Sequence, residues 1–170
     1  MAEEIINRVA KSSLVTLDLE AYYPAGNRTV LDLKDWLHEG LLLKEHDFRT
    51  TLRHFDWSQF KGHHVALQCS SGAIIPAWAY MLVQTHLFGI AKTTIVGSLE
   101  QLETCLYSSI IENLDLSFCN DVPVIVKGCS SKPVPQNAYI FLLHKLQPIA
   151  KSIQYGEACS SVPLYKRKNK

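Results

Sequence analysis

The chain has 170 residues and a mass of 19.2 kDa, enough for one well-packed core and hardly enough for two domains, so a single domain over residues 1–170 is expected. Hydrophobic residues make up 47%, charged residues 19%, and the net charge is +1, which gives no global attraction to nucleic acid or anionic lipid. The acidic opening Met-Ala-Glu-Glu lacks the cationic and apolar segments of a secretory signal. The most apolar passage, residues 74–83, is broken by Pro76 and falls short of the ~20 residues a membrane span needs. A cytoplasmic protein without membrane or nucleic-acid partners is the expectation, and its five cysteines would stay reduced rather than form a disulfide scaffold.

Ile5, Ile6 and Val9 share a helical face, which predicts a short helical or irregular lead over residues 1–13. Val15, Leu17 and Leu19 then alternate with Thr16, Asp18 and Glu20, the period of a half-buried strand. Turn chemistry in Tyr23-Pro24-Ala25-Gly26-Asn27 precedes a second strand pattern, so residues 14–33 read as a β-hairpin. Asp32 is placed to cap a short helix carrying Trp36 and Leu37, with Gly40 as its stop. Phe48, Leu52 and Phe55 predict a helix over 45–55, closed by Asp56-Trp57-Ser58. Trp36, Trp57 and the aromatics near them read as core packing, because no basic residues interleave with them as on a nucleic-acid platform.

Residues 64–69 fit a buried strand, and Pro76 suits the first turn of a helix that runs to about Phe88 and ends at Gly89. A strand follows at 93–96. Ser98 with Gln101 forms a capping box for a helix over 99–113, on which Cys105 reads as core; Cys119 reads as a loop or strand-edge thiol. A strand over 122–127, a helix opened by Pro135 and a strand over 152–155 complete the pattern, and the basic residues 166–170 read as a solvated tail. Strands alternating with helices imply an α/β fold with a mainly parallel sheet, plus the N-terminal hairpin and short helices.

Cys69-Ser70-Ser71 occurs again as Cys129-Ser130-Ser131. Pairing residues 65–71 with 125–131 and 76–100 with 135–159 leaves one loop residue unmatched and makes eleven of 32 positions identical, where about two would agree by chance. Residues 64–100 and 124–159 therefore read as two copies of one strand-helix-strand unit. Parallel topology would bring Cys69, Cys129 and Cys159 to the carboxyl edge of one sheet, where open α/β folds hold ligands. Glu100, the first copy's match for Cys159, is a candidate fourth ligand. Three thiolates and a carboxylate suit zinc or iron, and three cysteines suit an iron–sulfur cluster, although the spacing contains no C-x-x-C pair.

A second reading stays open beside the metal one. Ser70, Ser71, Ser130 and Ser131 precede helix starts, whose free N–H groups favour anions and would make Cys69 or Cys129 a thiolate nucleophile or persulfide carrier. In a third, the cysteines are structural in an interaction module. His63, His64, His86 and His144 are not placed beside either thiol, Lys92 and Lys151 read as solvated charges before strands, and no catalytic constellation or glycine-rich nucleotide fingerprint is present.

The passages Thr16-Leu17-Asp18-Leu19-Glu20, Asp32-Leu33-Lys34-Asp35-Trp36-Leu37, Ile75-Pro76-Ala77-Trp78-Ala79-Tyr80-Met81-Leu82, Lys127-Gly128-Cys129-Ser130 and Val162-Pro163-Leu164-Tyr165-Lys166 resemble the bacterial family known as domain of unknown function 2480. Genes of that family tend to lie near those for iron–sulfur cluster assembly. The resemblance thus implies an accessory role in that pathway and partners among its assembly proteins. It carries no ligand or catalytic residue with it. Taken together, these observations lead to an accessory protein binding a metal ion or iron–sulfur species through Cys69, Cys129 and Cys159. A homodimer is the base-rate expectation for such folds.

Overall fold

The computed structural model describes residues 14–128, 131–157 and 159–168. The expected lead over residues 1–13 lies outside them, as do Cys129 and Ser130. Among the described residues seven strands and four α-helices form an α/β fold in which every strand pairing but one is parallel. In chain order these are β1 (Val15–Leu17), β2 (Arg28–Asp32), α1 (Glu45–His54), β3 (His64–Gln68), α2 (Ala77–Leu87), β4 (Thr93–Val96), α3 (Leu99–Asn113), β5 (Pro123–Val126), α4 (Gln136–Leu146), β6 (Ser152–Glu157) and β7 (Ser160–Lys166).

The strands sort into two sheets, β1-β5-β6-β7 and β2-β3-β4, and the chain divides accordingly into two compact units. Unit 1 comprises the chain up to Tyr23 and from Leu106 onward, whereas unit 2 is Pro24–Cys105. Both N-terminal strands form where their alternation predicts, but they do not pair with each other. β1 lies parallel to β5 with Val15 opposite Val124, and β2 lies parallel to β3 with Arg28 opposite His64. Each is an edge that completes its own sheet, and the turn chemistry of residues 23–27 carries the chain from one unit to the other.

The duplication runs further than the repeated Cys-Ser-Ser suggests, and in a different register. One constant offset of 59 residues takes Val65 to Val124, the helix Ala77–Leu87 to Gln136–Leu146, and Gly97 to Gly156. Equivalent backbone bonds follow it: Gly62 N–H donates to Ile90 O and Asp121 N–H to Ile149 O, both at 2.9 Å. Gly62 and Asp121 share a left-handed φ of 75° and 57°, a conformation that glycine takes freely and aspartate tolerates. The gap in the sequence pairing is therefore removed, and Cys69 corresponds to Gly128 rather than to Cys129.

The same offset relates the helices that precede these strands, matching Phe48 with Tyr107 and Leu52 with Ile111, all buried. An offset of 14 relates Leu17-Asp18-Leu19 to Leu31-Asp32-Leu33. In each, the aspartate stands at a strand's end, just after β1 for Asp18 and last in β2 for Asp32, and accepts the N–H two residues on, at 2.9 Å and 3.0 Å, to cap a 3-10 turn. The copies are thus nested: β1 belongs with α3, β5, α4 and β6, and the whole of unit 2 is inserted after β1. Insertion of one folded unit into a surface turn of another is tolerated when the chain enters and leaves at neighbouring points.

Each unit has its own core. In unit 1, Leu17, Leu19, Tyr107, Ile111, Val124, Leu142, Leu146 and Ile153 pack together. In unit 2 the equivalents include Leu31, Leu33, Phe48, Leu52, Val65, Val83 and Leu87, joined by edge-to-face contacts of Trp36 with Phe48, Phe55 and Trp57. The two remaining thiols exchange the roles expected of them. Cys119 occupies Phe60's place and is fully buried, which pushes its thiol pKa up, while Cys105 is exposed on α3. The basic end is likewise held rather than loose through residue 167: Lys166 closes β7, and Arg167 bonds Asp121 at 3.1 Å and the carbonyl of Ile149 at 2.6 Å.

Candidate functional site

Parallel strands point their carboxyl ends the same way, so each unit has one rim where loops and side chains can converge. On unit 1 this rim carries Asp18 after β1 and Lys127 after β5. Lys127 Nζ donates to Asp18 Oδ2 at 3.0 Å, and Glu20 accepts from the Ser131 N–H at 3.1 Å and from the Ser131 hydroxyl. The Lys127 hydrogen bond holds the Asp18 carboxyl below its ordinary pKa, and Asp18 in turn raises that of Lys127. Bonding from Ser131 lowers Glu20. Gly128 lets the Tyr155 ring lie close, because a Cβ there would stand 2.6 Å from it and the ring would have to shift.

On unit 2 the rim is simpler. Asp32 Oδ1 accepts the N–H of Ser70 at 3.1 Å, and Cys69 Sγ lies 3.2 Å from Ser71 Oγ. Burial pushes Asp32 upward, but hydrogen bonds from Ser70 and from the Lys34 N–H outweigh it and leave the carboxyl below its usual range. Burial raises Tyr80, and Cys69 and Asp32 add to that. Gln68 stands where unit 1 has Lys127.

The cysteines and serines singled out from the sequence are divided between these rims. Cys69 and the exposed Glu100 belong to unit 2, on or after different sheet elements, whereas the exposed Cys159 lies in the β6–β7 turn of unit 1. The single shared sheet edge expected for them does not form, because β3 and β5 head separate sheets. Among the described residues no three His, Cys, Asp or Glu side chains are grouped to hold a metal ion. Neither is Cys69 at a helix start, since residues 70–76 intervene before α2 and Pro76 is its cap. The N–H groups of Ser70 and Ser131 already hold carboxylates of the protein itself, Asp32 and Glu20.

The family described as Protein of unknown function (DUF2480) matches residues 3–167 of this chain. The chain belongs to that family. No curated protein and no solved structure matches it. Among the described residues no helix is long and apolar enough to cross a membrane.

A surface that sequence reasoning passed over separates this family member's two units more sharply than the rims do. From Gly62 to Ala91 there is no Asp, Glu, Lys or Arg, whereas the equivalent residues 121–150 include Asp121, Lys127, Lys132 and Lys145. Within the uncharged passage Ile74 is 96% exposed, Met81 68% and Phe88 82%. Trp78 and Phe88 of unit 2 correspond to Asn137 and Gln147 of unit 1. Beside β4 runs a groove of about 420 Å³, floored by Leu67 and residues 94–96 and walled by Tyr80, Met81, Gln84 and Thr85 of α2. β4 ends its sheet, and its counterpart β6 does not, because β7 pairs antiparallel along the outer side of β6. Comparing the two copies position by position was the signal in the sequence: loss of charge and gain of aromatic residues along one of them.

Proposed function

We propose that the protein is a non-catalytic interaction module whose unit 2 accepts an extended segment of another polypeptide chain as an added strand on β4, with the α2 face against it. One observation carries this reading: β6 is covered by β7, whereas among the described residues no strand pairs with the outer side of the equivalent edge, β4. A bare edge offers a row of backbone donors and acceptors to any strand that reaches it. Gly97 N–H donates inward to Leu67 O at 2.8 Å, so strand alternation turns the N–H and C=O groups of Thr94 and Val96 outward. The groove beside them supplies apolar side-chain contacts, and its lining carries no charge to desolvate.

The strand-end rims fit a scaffold better than a reaction centre, since their polar groups satisfy one another. The test uses a synthetic peptide with the β7 sequence, Ser160–Lys166, because that is the strand the equivalent edge already takes. Added to dilute full-length protein, it is expected to slow amide exchange at Thr94 and Val96. No change at these two amides, with α2 resonances also unmoved, would contradict the reading.

A further inference from the structure

Among the described residues every edge strand but one is protected against further pairing. β7 carries Pro163 and Lys166, and a register shift interrupts its pairing with β6 between Ile153 and Gln154. β2 carries Arg28 and Asp32, and β1 is only three residues long. Charges, proline, irregularity and shortness are the devices that keep sheet edges from joining. β4, Thr93-Thr94-Ile95-Val96, has β-branched residues throughout and neither charge nor proline.

We propose that the strand taken by β4 is the β4 of a second copy of this chain, paired antiparallel across a twofold axis so that two three-stranded sheets become one continuous sheet. This rests on the strand-accepting reading above and names its occupant. A twofold axis sets residues near it beside their own copies, so any charge close to it meets a like charge. The groove lining, Leu67, Tyr80, Met81, Gln84, Thr85 and residues 94–96, meets that condition because none of these side chains is charged. The axis also reverses β4 relative to its mate, the same antiparallel sense in which β7 meets β6. Met81 and Thr85, which wall the groove at this edge, are then carried toward their own counterparts, so one contact covers strand and helix together. Burial of apolar side chains such as Met81 adds affinity that four residues of backbone pairing would not supply alone.

Sedimentation equilibrium on the full-length chain tests this. The wild type is expected to show twice the 19.2 kDa chain mass. Thr94→Pro removes an outward N–H at an edge position where proline is tolerated, and Met81→Lys places like charges across the axis from an already exposed site. Each is expected to weaken association at least tenfold while the circular dichroism spectrum stays unchanged. Should Thr94→Pro fail to fold, Met81→Lys carries the test. A wild type that sediments as one chain at every concentration, or a dimer that folded Met81→Lys leaves intact, overturns the proposal. A single-chain wild type that still protects Thr94 and Val96 on adding the β7 peptide removes only the second copy as occupant. Failure of both measurements removes the strand-accepting reading as well.

Discussion

Unit 1 finishes its sheet with β7 and ties its strand ends together by charge, through Lys127 with Asp18 and Ser131 with Glu20. Unit 2 repeats the order of elements and the aspartate cap, and α2 matches α4 in length, yet among the described residues its sheet stops at β4 and α2 has no Asp, Glu, Lys or Arg. Two copies of one design serve as controls for each other. What they share, from the buried pair Leu52 and Ile111 to the inverted turn at Gly62 and Asp121, is what the fold needs. Where they differ, at Phe88 against Gln147 and at β4 against the β6–β7 pair, stability gives no reason for the apolar choice. Exposing Phe88 contributes nothing to folding, and the proposed strand-accepting surface would give it a partner.

The largest effect is expected at an interaction that unit 2 has and unit 1 lacks. Arg28 forms a two-pronged pair with Glu103, at 2.6 and 3.2 Å, and also donates to the carbonyls of Pro24 and Gly26, fixing the turn where unit 2 begins. Both side chains are largely buried. Glu103→Ala leaves the guanidinium without its counter-charge, and urea unfolding is expected to show a loss of about 3–5 kcal/mol.

Next come the matched core positions. Leu52→Ala and Ile111→Ala are each expected to cost about 3 kcal/mol by the same measurement, with faster hydrogen exchange confined to the altered unit. Strongly unequal losses, or exchange that quickens equally throughout, would break the equivalence of the copies. A smaller difference separates Tyr107 from Phe48. The Tyr107 hydroxyl donates to Leu19 O at 3.1 Å, so Tyr107→Phe is expected to lose about 1 kcal/mol. Phe48→Tyr, at an equally buried site without that history, is expected to destabilise as well.

Much of this was readable in the residues. The helices begin and end where caps and prolines mark them: Ser98 and Gln101 exchange hydrogen bonds of 2.7 and 3.2 Å, and Pro76 and Pro135 open equivalent helices. Strand existence was legible from alternation, but strand partners were not. Residues 15–17 and 28–32 suit a hairpin as well as they suit two parallel edges, because pairing is decided by core geometry far along the chain. The Cys-Ser-Ser identity pulled the repeat out of register by one residue, since loop residues drift while buried positions such as Val65 and Val124 do not. β7 was missed because residues 160–165, with Pro163 among them, show no strand alternation and the basic residues 166–170 read as a tail; edge strands are where proline and lysine occur. Cys105 and Cys119 were interchanged because helical phase alone does not say which face a neighbouring sheet will cover.

The rims predict a smaller, pH-dependent contrast. Asp18 has a folded pKa below its unfolded value, so its stabilisation is complete above the unfolded value and is lost as pH falls through the lower folded one. Lys127 is raised, so its share is complete below its unfolded value and is lost as pH rises through the folded one. Lys127→Met is expected to return Asp18 toward the ordinary carboxylate range in a carboxyl NMR titration. Asp32 should not move, because its bonds come from Ser70 and Lys34. Equal shifts at both aspartates would contradict their having different partners. Elemental analysis of protein prepared without oxygen is expected to find no stoichiometric metal. Zinc or iron lost on Cys129→Ser would instead favour the cysteine-bound metal or iron–sulfur species.

The most direct test of the central claim compares equivalent amides within one molecule. Thr94 and Val96 of β4 correspond to Ile153 and Tyr155 of β6, which lie opposite Tyr165 and Val162 of β7. In residue-resolved hydrogen exchange, Ile153 and Tyr155 are expected to be protected at every protein concentration. Thr94 and Val96 are expected to exchange fast in dilute solution and to gain protection as concentration rises. Protection at Thr94 and Val96 that is already complete at the lowest concentration, or that never appears, would contradict the account.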